Sequence, residues 1–498
     1  MKHRAPAASL LAFAASLPPS QLQAQVDHVD LSQFAFSAST LAVNAVTGTI
    51  LIGGVGGGLQ ATMWRLDPVT LAVTTTSYPT VGNYGEVLAI SDDGSRASLG
   101  DFSGNAYWVD TAPTGVPQPI ANGSYSSIEN IQGETRLSGH AAIGSLQWYS
   151  TNTATSQLLQ LGPPTGLVPY ILGMSANGDI LTSYYRFWEW TGSGYGAPQT
   201  APTYYDSRIT GVSPNGVHLF GYTSKTTTVF GPITTKTGWP VIWSSDYARK
   251  PSLLRYGPSI TIPEDGRGAY LRQATSNLTA CGSAWQEVTG TNPFSSPAIG
   301  IIWHPSMGTL GVRSLDDFLI ERGAVGIPAV ENVLDLVDDG THLHILYLDH
   351  GSPAGQHYIR CANFSTPASP FYVYGPGKGD TEGLPPHLYG EVLAGTGAPG
   401  DSVSFVAADL EPAASFPFGV LAFSGANANQ PPLLVDASQL ITTLVIPLTI
   451  DATTGRSTGT MQWTIPPATA GLSLFSQYVG FNATFELVLS NGLRLDIQ

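Results

Sequence analysis

Six tryptophans, Trp64, Trp108, Trp148, Trp190, Trp243 and Trp303, recur along this 498-residue chain in steps of 44, 40, 42, 53 and 60 residues. Five follow a shared arrangement of polar turn, short apolar run, small residue and then Trp. Ile90-Ser91-Asp92-Asp93-Gly94 leads through Leu99-Gly100 to Tyr107-Trp108. Met174-Ser175-Ala176-Asn177-Gly178 leads through Ile180-Leu181 to Glu189-Trp190. Val212-Ser213-Pro214-Asn215-Gly216 leads through Leu219-Phe220-Gly221 to Ile242-Trp243. A short-stranded unit repeated every ~40–50 residues buries its apolar face only against the next copy, so the units must stack.

Weaker copies complete the series. Ala45 to Gly53 precedes Trp64, Ile128 to Gly133 precedes Trp148, and Ala274 to Asn277 precedes Trp303. Leu336-Val337-Asp338-Asp339-Gly340 opens a last unit with Tyr358 in the Trp position. The spacing predicts an all-β fold, a β-propeller of about seven blades. Each Asx-Gly is expected to form a hairpin turn with both central residues at positive φ. The Gly after the second strand is expected to let neighbouring blades approach. The Trp is expected to fill the gap between blades, burying roughly 150–250 Å². Trp188, Trp239 and Trp285 lie off the period and are candidates for the surface.

The ends set the boundaries. Lys2, His3 and Arg4 precede an apolar run from Ala5 to Leu17, then Pro18-Pro19 and Leu22-Gln23-Ala24. Residues 1–24 are expected to be a secretory signal peptide. The run is too short for a spanning helix. Residues 25–365 form the predicted propeller and 370–498 a C-terminal module. Beyond residue 24 there are 18 basic and 35 acidic residues. That balance argues against nucleic acid as a partner, because phosphate neutralisation needs a basic surface. With 56 Gly and 37 Pro, the composition fits a turn-rich extracellular β-protein, and no integral membrane segment is expected. Cys281 and Cys361 are the only cysteines. In an oxidising compartment they have a disulfide open to them; otherwise they are small buried hydrophobes.

Past Cys361 the pattern changes. Ser365 to Pro370 reads as a linker. Short alternating strands follow at Ser402–Ala407, Phe418–Phe423, Leu433–Val435, Thr443–Ile450, Thr460–Ile465, Leu472–Tyr478 and Phe485–Leu489. Asn491-Gly492 and Thr454-Gly455 read as turns. About seven strands in this length predict a small β-sandwich.

The units from Ile90 to Trp108 and from Val212 to Trp243 resemble the HAF-repeat family of secreted bacterial proteins. Ser314-Leu315-Asp316-Asp317-Phe318-Leu319 is similar to the short helix such proteins carry before their last repeat. Its Ser314 is an expected N-cap, and Gly323 is expected to end the turn. The tail resembles the C-terminal modules of large secreted planctomycete-type proteins, through Tyr374 to Gly379, Leu433 to Asp436 and Leu489 to Leu493. Lys378 stands where those modules often carry a cysteine. The resemblances imply a secreted propeller and a tail for adhesion, sorting or surface retention; they imply no catalytic activity.

Chemistry is sparse. Gly455-Arg456-Ser457-Thr458-Gly459 has nucleophile-elbow spacing, but that elbow joins a strand to a helix and this stretch joins strands. His342, His344 and Asp349 are the candidate metal ligands, since two His on one strand face plus a carboxylate suit a transition metal. No Walker loop, dinucleotide fingerprint or paired-cysteine motif appears, so no cofactor is expected. The leading expectation is a non-enzymatic binding, adhesion or scaffold protein with a glycan, cell-envelope or protein ligand. Tyr222, Trp239 and Trp285 flank the long insertions Thr223–Gly238 and Gln286–Ala298 and are the candidate ligand-binding residues. The alternative is a propeller enzyme, a lyase or glycosidase acting on extracellular polysaccharide through converging carboxylates.

Overall fold

The computed structural model describes residues 26–79, 81, 84–120, 123–142, 145–161, 170–202, 206–230, 233–254, 256, 269–285, 298–351, 355–364, 370–379, 386–410, 418–431, 433–450, 457–482 and 484–498. The expected signal segment, residues 1–24, lies outside them. Seven antiparallel sheets form the blades of a propeller. Their inner strands are Ala35–Val43, Glu86–Ile90, Ser124–Ile131, Gly173–Met174, Asp206–Val212, Ala269–Ala274 and Val330–Asp338. The ring closes on itself. Blade 7 takes its outer strand from the start of the chain, Asp27–Asp30, paired to Arg360–His357 of its third strand. Arg360 donates to Asp27 at 2.9 and 2.5 Å, and the His28 and His357 rings meet at 3.1 Å across the same seam. Asp27–Asp30 carries no repeat signature, so this closure was invisible in the periodicity.

Each expected turn lies between an inner and a second strand, but its geometry differs from expectation. Gly94, Gly178 and Gly216 have φ of +65°, +70° and +72°, while Asp93, Asn177 and Asn215 stay at negative φ. Gly94, Gly178 and Gly216 each donate to the carbonyl three residues back, on Ser91, Ser175 and Ser213. These are therefore type I turns followed by a left-handed Gly. The preceding serine explains the choice. Ser91, Ser175 and Ser213 are buried, donate to Asp93, Asn177 and Asn215 at 2.6–2.7 Å, and accept the N–H five residues on at 3.0 Å. That local network holds the Asx at negative φ. Among the described turns from inner to second strand, only Gln132-Gly133 in blade 3, at +53° and +93°, has both residues positive.

The tryptophans fill inter-blade clusters. Trp64 packs with Leu346 and Tyr358 across the closing seam, and Trp243 packs with Ile180 and Phe187 between blades 4 and 5. Tyr358 is fully buried in the Trp position. In blade 4 the assignment moves. Trp188, expected at the surface, is fully buried on the third strand and donates from Nε1 to Gln160 O at 2.9 Å. Trp190 is half-buried beside it, under the Arg136 guanidinium at 3.7 Å. Two tryptophans at this spacing point to one side of a strand, so sequence spacing could not choose between them.

The second-strand glycines serve a different purpose from the expected one. Six inner strands carry a one-residue bulge near the middle, at Ser39, Leu88, Ser126, Thr210, Arg272 and Leu334. In blades 1, 3, 5 and 6 the residue opposite the bulge is Gly54, Gly139, Gly221 or Gly282, and a Cβ there would overlap the carbonyl oxygen of Ser37, Ser124, Arg208 or Tyr270 in the same blade. Glycine admits the bulged strand rather than the neighbouring blade. The bulged side chain then reaches across. Ser39 and Ser126 donate to Val87 O and Ile171 O at 3.4 and 3.0 Å, Thr210 donates to Leu271 O, and Arg272 Nε donates to Leu334 O at 2.8 Å. Each of these carbonyls belongs to the next blade.

The expected short helix is Leu315–Glu321, with Ser314 as its N-cap accepting from Asp317 N; Gly323, at φ +89°, follows it. The tail forms one nearly closed eight-stranded sheet. Strand Leu440–Ile450 turns the corner. Leu440–Pro447 pairs with Phe418–Ser424, and Leu448–Ile450 pairs with Ser457–Gly459. The two halves enclose a core in which Phe405 meets Phe371 and Phe423 edge-on at 5.6 and 5.1 Å. Asn491-Gly492, expected as a turn, lies inside strand Leu487–Asp496. The Asn491 side chain imitates a peptide unit, accepting from Leu388 N at 2.8 Å and donating to Leu388 O at 2.7 Å, and so ties the last strand to His387–Ala394. Thr454-Gly455 and most of the linker lie outside the described residues.

Candidate functional site

The inner strands line a central channel of about 550 Å³. All six bulged residues face it, because a bulge turns one extra side chain toward the axis. Its two ends differ in chemistry. Toward the Asx turns stand Asp92, Glu129 and Asp335. Toward the opposite face stand Arg208, Tyr184, Tyr222 and Tyr270.

At the acidic end, Glu129 is 5% exposed and accepts from Asp92 N at 3.0 Å. Burial, with Asp92 beside it, holds its carboxyl well above the usual range. Asp92 is exposed on the channel side, yet the protein around it desolvates its carboxyl and, with Asp335 and Asp93 nearby, pushes it up to about 7. Its side chain still presents surface to the water of the channel, which screens this effect. Asp335 is raised by burial but accepts from Leu41 N, Leu336 N and Gln273 Nε2 at 2.7–2.8 Å. It binds blade 7 to blades 1 and 6, which is a structural task.

The other end is aromatic. The loops from outer strand to next inner strand, and from second to third strand, emerge on this face by the up-and-down order of each blade. Arg208 lies over the rings of Tyr185 and Tyr222 at 5.7 and 5.9 Å, and its Nε is buried with no hydrogen-bond partner among the described residues. Tyr170 is 48% exposed, meets His140 edge-on at 4.6 Å and lies 6.3 Å from Tyr184. Burial lowers the His140 pKa and so favours its uncharged ring, and its Nε2 is buried with no partner among the described residues. Farther round the same face, Tyr84 and Phe102 are 57% and 90% exposed with ring centres 6.1 Å apart. Half-buried tyrosines lining a polar channel, with the exposed Tyr170 beside them, suit a ligand with alternating apolar faces and hydroxyls.

Of the residues expected to bind ligand, Tyr222 lies in this channel. Trp239 pairs with Thr223 on the neighbouring strand and packs half-buried against the blade 4–5 core. Insertion Thr223–Gly238 extends one long hairpin, His218–Phe230 with Ile233–Ser244. Trp285 ends a strand opposite Ala298, while its side chain and residues 286–297 lie outside the described set. Tyr170, Tyr184 and Arg208 were missed; two adjacent loops and the start of the blade 5 inner strand bring them together, and no repeat marks them.

The expected metal ligands do not converge. His342 and His344 lie toward Asp339, with His344 Nε2 at 3.0 Å, while Asp349 ends the same strand and meets His357 at 3.2 Å. A strand of eight residues separates its ends by more than 20 Å. No group of three His, Cys, Asp or Glu able to hold a metal occurs among the described residues. His344 is buried, hydrogen-bonded through Nδ1 to Tyr358 and through Nε2 to Asp339, and so braces the end of blade 7. Cys281 and Cys361 are free thiols buried in one cluster between blades 6 and 7, and burial pushes Cys361 up to about 12.

No family model and no curated relative matches the chain. Among solved structures it is similar to a chain of the "Crystal Structure of Mitotic Checkpoint Complex", at 12% identity, covering 71% of this chain and 98% of that one with a TM-score of 0.36. A likeness that low carries no argument beyond the geometry already described. The fold and channel define a seven-bladed β-propeller, a rigid ring of the kind that generally binds or scaffolds other molecules. No helix among the described residues is long and apolar enough to cross a membrane.

Proposed function

We propose that this protein is secreted and binds an extracellular glycan at the aromatic mouth of its propeller channel, with the tail as an attachment module. The observation that carries the reading is the grouping of Tyr170, Tyr184, Tyr222 and Arg208 around one opening. Sugar rings present apolar faces that stack on aromatic rings and hydroxyls that pair with guanidinium and backbone groups. The basic start and apolar run at residues 2–17 support secretion. The resemblance to HAF-repeat proteins is consistent with the same compartment.

One observation favours a second reading, a polysaccharide-cleaving enzyme: Asp92 and Glu129 meet at the other end of the channel. The binding reading is preferred, because Glu129 is nearly inaccessible and already held by the Asp92 amide. The test incubates residues 25–498 with insoluble polysaccharides and cell envelopes. Retention in the pellet without release of soluble sugar is expected. Sugar release that disappears in Asp92→Asn would replace binding with catalysis.

A further inference from the structure

A second cavity, of about 250 Å³, lies where the tail meets blades 5 and 6. Ile242, Leu254 and Trp303 wall it on the propeller side, and Val373, Tyr374 and Pro376 on the tail side. Contacts beside it fix the two walls. Tyr247 and Tyr374 lie 6.2 Å apart, and Lys250 Nζ donates to Pro431 O at 3.3 Å.

Two polar atoms in this largely apolar wall have no hydrogen-bond partner among the described residues: Nδ1 of His218 and Oγ of Ser244. Ser244 is 7% exposed. The two residues face each other across adjacent strands, so one ligand group can reach both. Buried polar groups are nearly always paired, and an orphan neighbouring pair marks the seat of a missing polar partner. Burial pushes His218 down to about 4, so its ring is uncharged at neutral pH. Asp246 is the one carboxylate on the wall among the described residues, and His387 lines the same wall from the tail. Apolar walls penalise a charged guest. The aromatic sides favour a flat one. The volume falls below that of sites for drug-sized ligands.

We propose that the propeller–tail cleft binds a small uncharged molecule of the phenol class, its hydroxyl shared by His218 and Ser244 and its ring held between Trp303 and Tyr374. The site is independent of the channel and of any glycan bound there.

The test titrates phenol, and toluene as the analogue lacking the hydroxyl, into the full chain by calorimetry and ligand-observed NMR. One phenol per chain is expected, with toluene at least ~10-fold weaker, the scale of one lost hydrogen bond. Ser244→Ala should weaken phenol by a similar factor. Ser244→Ala removes an unpaired hydroxyl, so its melting temperature should not fall; His218→Phe gives an independent second probe. Absence of saturable phenol binding up to about 10 mM would overturn the proposal. So would phenol affinity unchanged from the wild type in both variants, or ordered water that phenol does not displace from His218 and Ser244.

Discussion

Blades 5 and 2 share the same turn between inner and second strand and diverge at the centre of the inner strand. Ser213-Pro214-Asn215-Gly216 and Ser91-Asp92-Asp93-Gly94 make matching serine and Asx hydrogen bonds. Beyond them, blade 5 pairs a bulged Thr210 with Gly221 nearby, while blade 2 pairs a bulged Leu88 with Leu99. Blade 7 repeats the second solution with Leu334 and Tyr347. The polar bulge and the glycine occur together in blades 1, 3, 5 and 6. A glycine lets the bulged backbone sink toward its partner strand, and the exposed hydroxyl or guanidinium then bonds the next blade. Where the bulge is Leu, that bond is absent and the second strand keeps a large side chain. The repeated turn therefore sets how the inner strand of a blade meets its second strand, while the bulge decides how the blade is joined to its neighbour.

That comparison breaks most visibly at the glycine. Gly221→Val should cost about 3 kcal/mol or more, because a Cβ overlaps the Arg208 carbonyl, which cannot yield without unpairing the strand. Leu99→Val at the corresponding place should cost only about 1 kcal/mol. Equal losses in urea denaturation would dissolve the distinction. A smaller effect is expected at the bulge itself. Thr210→Val should cost roughly 1–2 kcal/mol by orphaning Leu271 O. Leu88→Ser should gain nothing from a bond its blade is not shaped to make.

The smallest effect is electrostatic and belongs to blade 2. The folded pKa of Asp92 lies above its unfolded value near 4. Between those values the unfolded chain has released its proton and the folded chain has not. Stability therefore falls as pH rises from about 4 to 7 and is flat above. Melting curves of the wild type minus Asp92→Asn across that window should show this slope. A difference independent of pH would mean channel water fully screens the group.

The sequence made some of this plain and hid the rest for physical reasons. Buried Trp64, Trp148 and Trp243 recur because each blade must fill the same gap, so composition at one position repeats. Tyr358 was legible in the same slot for that reason. The bulges at Ser39, Ser126 and Thr210 were not, since one extra residue shifts strand alternation without leaving a distinctive residue type. The closing strand Asp27–Asp30 copies no repeat because its partner, blade 7, already supplies the pattern. Asn491 looked like a turn because Asn-Gly favours one, yet its side chain replaces a missing peptide pair between two strands. Of the mouth residues, Tyr170 and Tyr184 come from separate loops, which carry no period, and Arg208 stands at the start of an inner strand, away from the repeated turn.

The most direct test of the binding account uses the polysaccharide or envelope fraction that retains the wild type. Tyr170→Ala combined with Arg208→Ala should lower retention at least ~10-fold, as loss of a stacked ring and a cation does, with circular dichroism unchanged. Undiminished retention by the double variant would place the ligand elsewhere and contradict the channel mouth as the site.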